Sequence, residues 1–170
     1  MFLGDLWFPI LLEGIWMIDK AKIEHLVGEK LDENMFIVEI SVSERNVINV
    51  FVDSFDGLTI DQCVAISRHV EHSLDREEED FELQVSSPGL TESFKVNEQY
   101  KKYEGRKIEV VTEGGSKLEG VLIESSNEGF VLETSVKKKL EGHKKKQLVV
   151  EKHPLNYNDI KSAKAVISFK

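Results

Sequence analysis

Residues 81–90, FELQVSSPGL, constrain this chain more than any other stretch. Phe81, Leu83 and Val85 alternate with Glu82 and Gln84, the period-2 pattern of a half-buried strand. The strand runs into Ser86-Ser87-Pro88-Gly89. Pro88 holds Ser87 extended, and Pro-Gly suits the two central positions of a type II turn, which predicts a positive φ at Gly89. Ser86, Ser87, Pro88 and Gly89 therefore read as a stiff corner between two domains. The same corner is also a candidate contact surface that presents two hydroxyls.

Upstream, the pattern predicts an α-β-β-α-β order. A helix is expected over Lys20–Leu31, with Asp19 as N-cap, an Ile18–Ile23 staple, and Ile23, Leu26, Val27 and Leu31 on one face. Two strands follow, with Phe36, Val38, Ile40 and Val42 sharing one face and Ile48, Val50 and Val52 another. Ser43–Asn46 is the short polar loop between them. A second helix starts at Thr59, where Thr59 and Gln62 have capping-box spacing. Ile60, Cys63, Ser67, Val70 and Leu74 form its expected buried stripe. Asp75–Asp80 (DREEED) reads as a solvated charge run. Three strands and two helices suggest an α+β layered domain over residues 17–90.

Residues 91–105 read as a connector with one helical turn at Glu98–Tyr103, and from 106 to 170 the pattern turns all-β. Candidate strands are Lys107–Thr112, Lys117–Ser125, Phe130–Thr134, Gln147–Lys152 and Ala165–Phe169, with a helical turn within Asn158–Ala163. Five short strands with tight turns suggest a small barrel. Residues 1–16 are apolar but carry only Asp5 and Glu13, without the basic start of a secretory signal. They are read as an upstream extension, with Met17 the natural start; a peripheral apolar anchor is the other reading.

Asp53-Ser54-Phe55-Asp56-Gly57-Leu58-Thr59 leads into Ile60-Asp61-Gln62-Cys63, followed by ISRHVEHSLD and then LQVSSPGL. This ordered combination resembles the RimP family of bacterial ribosome maturation factors. The resemblance covers roughly Met17 to the C-terminus. It implies an SH3-like or Sm-like form for the barrel. It also implies a non-catalytic cytoplasmic factor whose partner is the immature small (30S) ribosomal subunit, both rRNA and a small-subunit ribosomal protein. No cofactor, membrane or small-molecule substrate is implied. One departure stands out: Thr91-Glu92-Ser93-Phe94 occupies the place where family members often carry an acid, an arginine and a proline.

The net charge of −9 hides two halves of opposite sign. Residues 17–97 carry 7 basic and 18 acidic side chains, and residues 98–170 carry 15 and 11. The basic half is the expected RNA neighbour. Its densest segment holds Lys137, Lys138, Lys139, Lys144, Lys145 and Lys146 in an expected exposed loop. Such a group attracts phosphate without reading base sequence; a solvated loop that aids solubility is the plain alternative. Phe130, Tyr157 and Phe169 are candidate base-stackers, although packing in the core suits Phe130 and Phe169 better.

Other chemistry finds little footing. The single Cys63 excludes an internal disulfide and a multi-cysteine metal site, and it fits a reducing cytosol. Asp53, Asp56 and Asp61 lack the ligand set of a calcium loop, so no metal is expected; Asp56-Gly57 suits a turn and Asp61 the start of a helix. No common catalytic motif appears, and His69 and His72 do not stand beside Cys63 on their helix. Three functions remain open: an assembly factor, a general RNA-binding regulator of translation, and a hydrolase using the serines of SSPG.

Overall fold

A computed structural model describes residues 18–167. The chain divides into two compact units between Pro88 and Gly89.

The first unit has the expected order. Helix α1 (Lys20–Gly28) starts at Asp19, whose carboxylate accepts from the Ala21 N–H at 3.0 Å. Strands β1 (Met35–Val42) and β2 (Val47–Ser54) pair antiparallel, with a bulge between Ile37 and Glu39. Helix α2 (Ile60–Ser73) carries the chain to β3 (Glu82–Ser86), which lies parallel to β2. At the α2 start, the Gln62 N–H donates to Thr59 Oγ1, and Gln62 Oε1 accepts from the Thr59 N–H at 2.9 Å. Both helices pack on the sheet, burying Ile23, Val27, Ile66 and Val70 against Ile40, Ile48, Val50, Val52 and Phe81.

One expectation for this unit needs correction. Ile60 is 82% exposed, whereas Ile66 is fully buried. At 3.6 residues per turn, Ile60 lies roughly 100° around the helix from the Ile66–Val70 line, which faces the sheet. The 75–80 run is exposed as expected, apart from half-buried Glu79, and its arginine makes local contacts. The Arg76 guanidinium sits 4.2 Å from the Phe81 ring centroid and donates to the Phe81 carbonyl at 3.1 Å.

The second unit is one five-stranded antiparallel sheet. Its strands are β4 (Lys107–Thr112), β5 (Lys117–Ser125), β6 (Gly129–Lys138), β7 (Gln147–Asn156) and β8 (Ile160–Ala165), in the sheet order β7-β6-β5-β4-β8. Among the described residues the expected barrel does not close: β7 and β8 are the two ends of the sheet, and no ladder joins them. Strand β7 instead stays paired with β6 along its whole length. The last strand is also displaced from the expected Ala165–Phe169, because Ile160–Ala165 pairs with β4; Phe169 lies outside the described residues. A 3-10 turn at Tyr157–Asp159 precedes it.

Ile108, Val110, Leu122, Phe130, Leu132 and Ala163 form the core, joined by Tyr100 from the short helix α3 (Asn97–Lys102). The expected helical turn of the connector is present, one residue earlier, and the segment also supplies core aromatics, with Phe94 and Tyr103 packed beside Tyr100.

Candidate nucleic-acid interface

Strands β6 and β7 form a hairpin that outruns its own core. Their ladder extends from Gly129–Asn156 to Lys138–Gln147. Phe130, Leu132 and Thr134 are buried at the base, whereas Ser135 to Lys138 are all exposed. On the partner strand, Leu148 and Val150 are 63% and 51% exposed. The tip turns through Leu140–His143, closed by His143 N–H donating to Leu140 O at 3.1 Å, with Gly142 at φ 85°. Only glycine adopts that backbone without strain.

The six candidate lysines fall on this arm but are not equivalent. Lys137 and Lys138 belong to β6 rather than to the loop, and Lys139, Lys144, Lys145 and Lys146 lie in the loop. Lys138 Nζ is held 2.5 Å from Glu151 Oε1, and that ammonium keeps the Glu151 carboxyl below the ordinary carboxylate range. Glu151 also lies 3.8 Å from His153 Nε2, which in turn contacts Thr134 Oγ1 at 2.9 Å. Among the described residues, Lys137, Lys139, Lys144, Lys145 and Lys146 have no carboxylate partner. The tip therefore offers five uncompensated positive charges and one compensated. The sequence does not reveal Glu151 as the compensating group, because the pairing depends on cross-strand register and side-chain reach.

The Ser86–Gly89 corner departs from its expected geometry. Ser86 closes β3 opposite Phe51, and Ser87 is exposed. Gly89 is not among the glycines with positive φ, so no type II turn centres on Pro88-Gly89. The turn falls later, where the Glu92 N–H donates to Gly89 O at 3.0 Å.

The remaining candidates have structural surroundings. Among the described residues, neither Ser86 nor Ser87 hydrogen-bonds a histidine or carboxylate through its hydroxyl. Burial pushes the half-buried Cys63 thiol up, away from an activated thiolate. Asp53 is buried with its carboxylate accepting from the Ser54 N–H at 2.8 Å, and Gly57 takes the turn at φ 95°. No group of three or more His, Cys, Asp or Glu is gathered as a metal site among the described residues. Of the candidate stackers, Phe130 is in the core and Tyr157 is half-buried at its margin.

The RimP N-terminal domain model matches residues 22–91, which run from α1 through β3 and the corner. A ribosome maturation factor RimP of Christiangramia forsetii is 35% identical over 152 residues, covering 88% of this chain and 99% of the relative. The Porphyromonas gingivalis RimP is 38% identical, covering 89% of this chain and all of the relative. This chain belongs to the RimP family. The RimP of Flavobacterium psychrophilum, at 32% identity, again covers 90% of this chain, so the likeness extends through the sheet of the second unit. Within this RimP chain, the Thr91–Phe94 departure has a local role: Glu92 closes the turn, and Phe94 packs against Tyr100.

Proposed function

We propose that this protein is a non-catalytic ribosome maturation factor of the cytoplasm that binds the immature small (30S) subunit and promotes its assembly. The observation that carries the reading is the β6–β7 arm, with five uncompensated lysines beyond the hydrophobic core, in a chain whose relatives are named ribosome maturation factors. The lysines engage rRNA phosphates, while the acidic first unit is suited to a basic ribosomal protein. The corner at Ser86–Gly89 belongs to the ribosome-facing surface and helps set how the two domains engage the particle. We read the open five-stranded sheet as an SH3-like barrel left unclosed between β7 and β8. The mechanism is population shift: binding the assembly-competent arrangement more tightly raises its share of the particles.

Co-sedimentation tests the reading. The protein should travel with precursor small subunits and leave mature ones largely bare, and its deletion should raise precursor rRNA. Equal binding to precursor and mature subunits favours a general RNA-binding regulator and rejects the assembly role.

A further inference from the structure

We propose that a cleft in the second unit, between residues 94–97 and 157–162, receives one unstacked base of single-stranded RNA, with Tyr157 as the stacking platform and Lys161 holding the adjoining phosphate. The inference rests on the reading that the protein engages rRNA, and it adds a site separate from the lysine arm.

The cleft measures about 210 Å³ and is floored by Phe94, Tyr100 and Tyr157. That is a space for a flat ring system rather than a helix. Tyr100 lies deepest, and its ring centroid is 4.9 Å from that of Tyr157. Tyr157 is half-buried and fixed at two points. Its hydroxyl donates to Ser126 O at 2.8 Å, and its N–H donates to Glu128 O at 3.1 Å. A ring held in this way stacks on a base at little entropic cost.

The opposite wall is equally fixed. The Phe94 N–H donates to Ala163 O on β8 at 2.7 Å. The buried Gln99 side chain accepts from the N–H groups of Lys95 and Val96 at 2.6 and 3.2 Å. The mouth is therefore formed before any ligand arrives.

Charge selects the occupant. Exposed Lys95 and Lys161 stand among the lining residues, and no carboxylate does. Lys161 has no ion-pair partner among the described residues. A basic protein segment would be repelled here, whereas a nucleotide brings both an apolar face for Tyr157 and an anion for Lys161. Exposed Asn97 adds an amide within the same cleft, able to donate to or accept from a base edge. Burial pushes the Tyr100 phenol up to about 12 and also raises that of Tyr157, so both rings meet the ligand as neutral groups.

The test uses the full chain and a six-nucleotide oligouridylate carrying one 4-thiouridine, read by anisotropy and by mapping the photo-crosslink. Tyr157→Leu and Lys161→Glu should each weaken binding, the former by roughly 5- to 150-fold. Tyr157→Phe should bind within about twofold of the parent because its ring is kept. The crosslink should map to the peptide holding Tyr157 and Lys161. If Tyr157→Leu lowers the melting temperature, Lys161→Glu carries the test, since Lys161 is exposed. Undiminished binding by Lys161→Glu together with crosslinks confined to residues 137–146 overturns the cleft and leaves the arm standing. Failure of the parent to bind the oligomer also overturns it. Loss of precursor-particle binding in a variant lacking the arm lysines, with the cleft crosslink retained, keeps the two sites distinct.

Discussion

The salt dependence of binding provides a stringent test of the arm, because the Lys138–Glu151 pair makes its lysines unequal. Each lysine that takes up a single-stranded phosphate contributes about 0.7 to the slope of log affinity against log salt. Suppose three of the five uncompensated lysines make such contacts. Replacing Lys137, Lys139, Lys144, Lys145 and Lys146 with Ser then reduces the slope by roughly 2. From about 50 to 200 mM salt, the parent should lose about 18-fold more affinity than the variant. Lys138→Ser should change the slope little, because its ammonium is already engaged 2.5 Å from Glu151. Glu151→Gln should do the reverse, releasing Lys138 and steepening the slope by up to about 0.7. The assay is equilibrium binding to precursor small subunits over that salt range. An unchanged slope in the five-lysine variant removes the arm from the interface. A Lys138→Ser slope that falls as far as that of Lys139→Ser removes the argument from compensation.

Further outcomes follow from packing and titration. A Cβ at Gly120 would overlap the Glu133 carbonyl oxygen and lie 3.2 Å from Thr134 Cγ2, so Gly120→Ala should cost about 1–3 kcal/mol in denaturant unfolding. Ile66→Ala should cost about 2–5 kcal/mol. Ile60→Ala should stay within about 0.5 kcal/mol, and equal losses at the two positions would contradict the buried face of α2. Gly89→Ala should also be nearly neutral, since φ there is not left-handed and the nearest atom is the mobile Glu92 Cγ at 3.3 Å. Glu29 accepts from His69 at 2.6 Å, which holds its carboxyl below the ordinary 4.5. That stabilisation is complete above the unfolded value and is lost as pH falls through the lower folded one. Glu29→Gln should therefore flatten the dependence of the unfolding midpoint on pH below about 4.5, and an unaltered profile would discount the contact.

What the sequence discloses depends on how local the deciding interaction is. Asp19 and the Thr59–Gln62 pair satisfy N–H groups within three residues of themselves, so composition and spacing alone identify them. The alternation in β1, β2, β4 and β5 is likewise set by faces of a single strand. The corner was less legible: Pro-Gly permits several turns, and the hydrogen bond that selects one comes from Glu92. Strand β8, IKSAKA, has no apolar alternation of its own and becomes a strand through pairing such as Val110 with Ala163. The turn of helix α3 is legible, but it is too short to show a period, so the core role of Tyr100 depends on Phe94, Phe130 and Tyr157 gathered around it. At the candidate interface, charge density located the lysines, but only the β6–β7 register explains why one of them is compensated.

Among the described residues, no core lies beneath the outer half of the hairpin; beyond Thr134 the ladder, the Lys138–Glu151 pair and a Gln147–His143 contact hold it closed. Breathing there need not disturb Leu122 or Leu132 below. Opening of the outer ladder is therefore a local event, and the sheet underneath stays as it is.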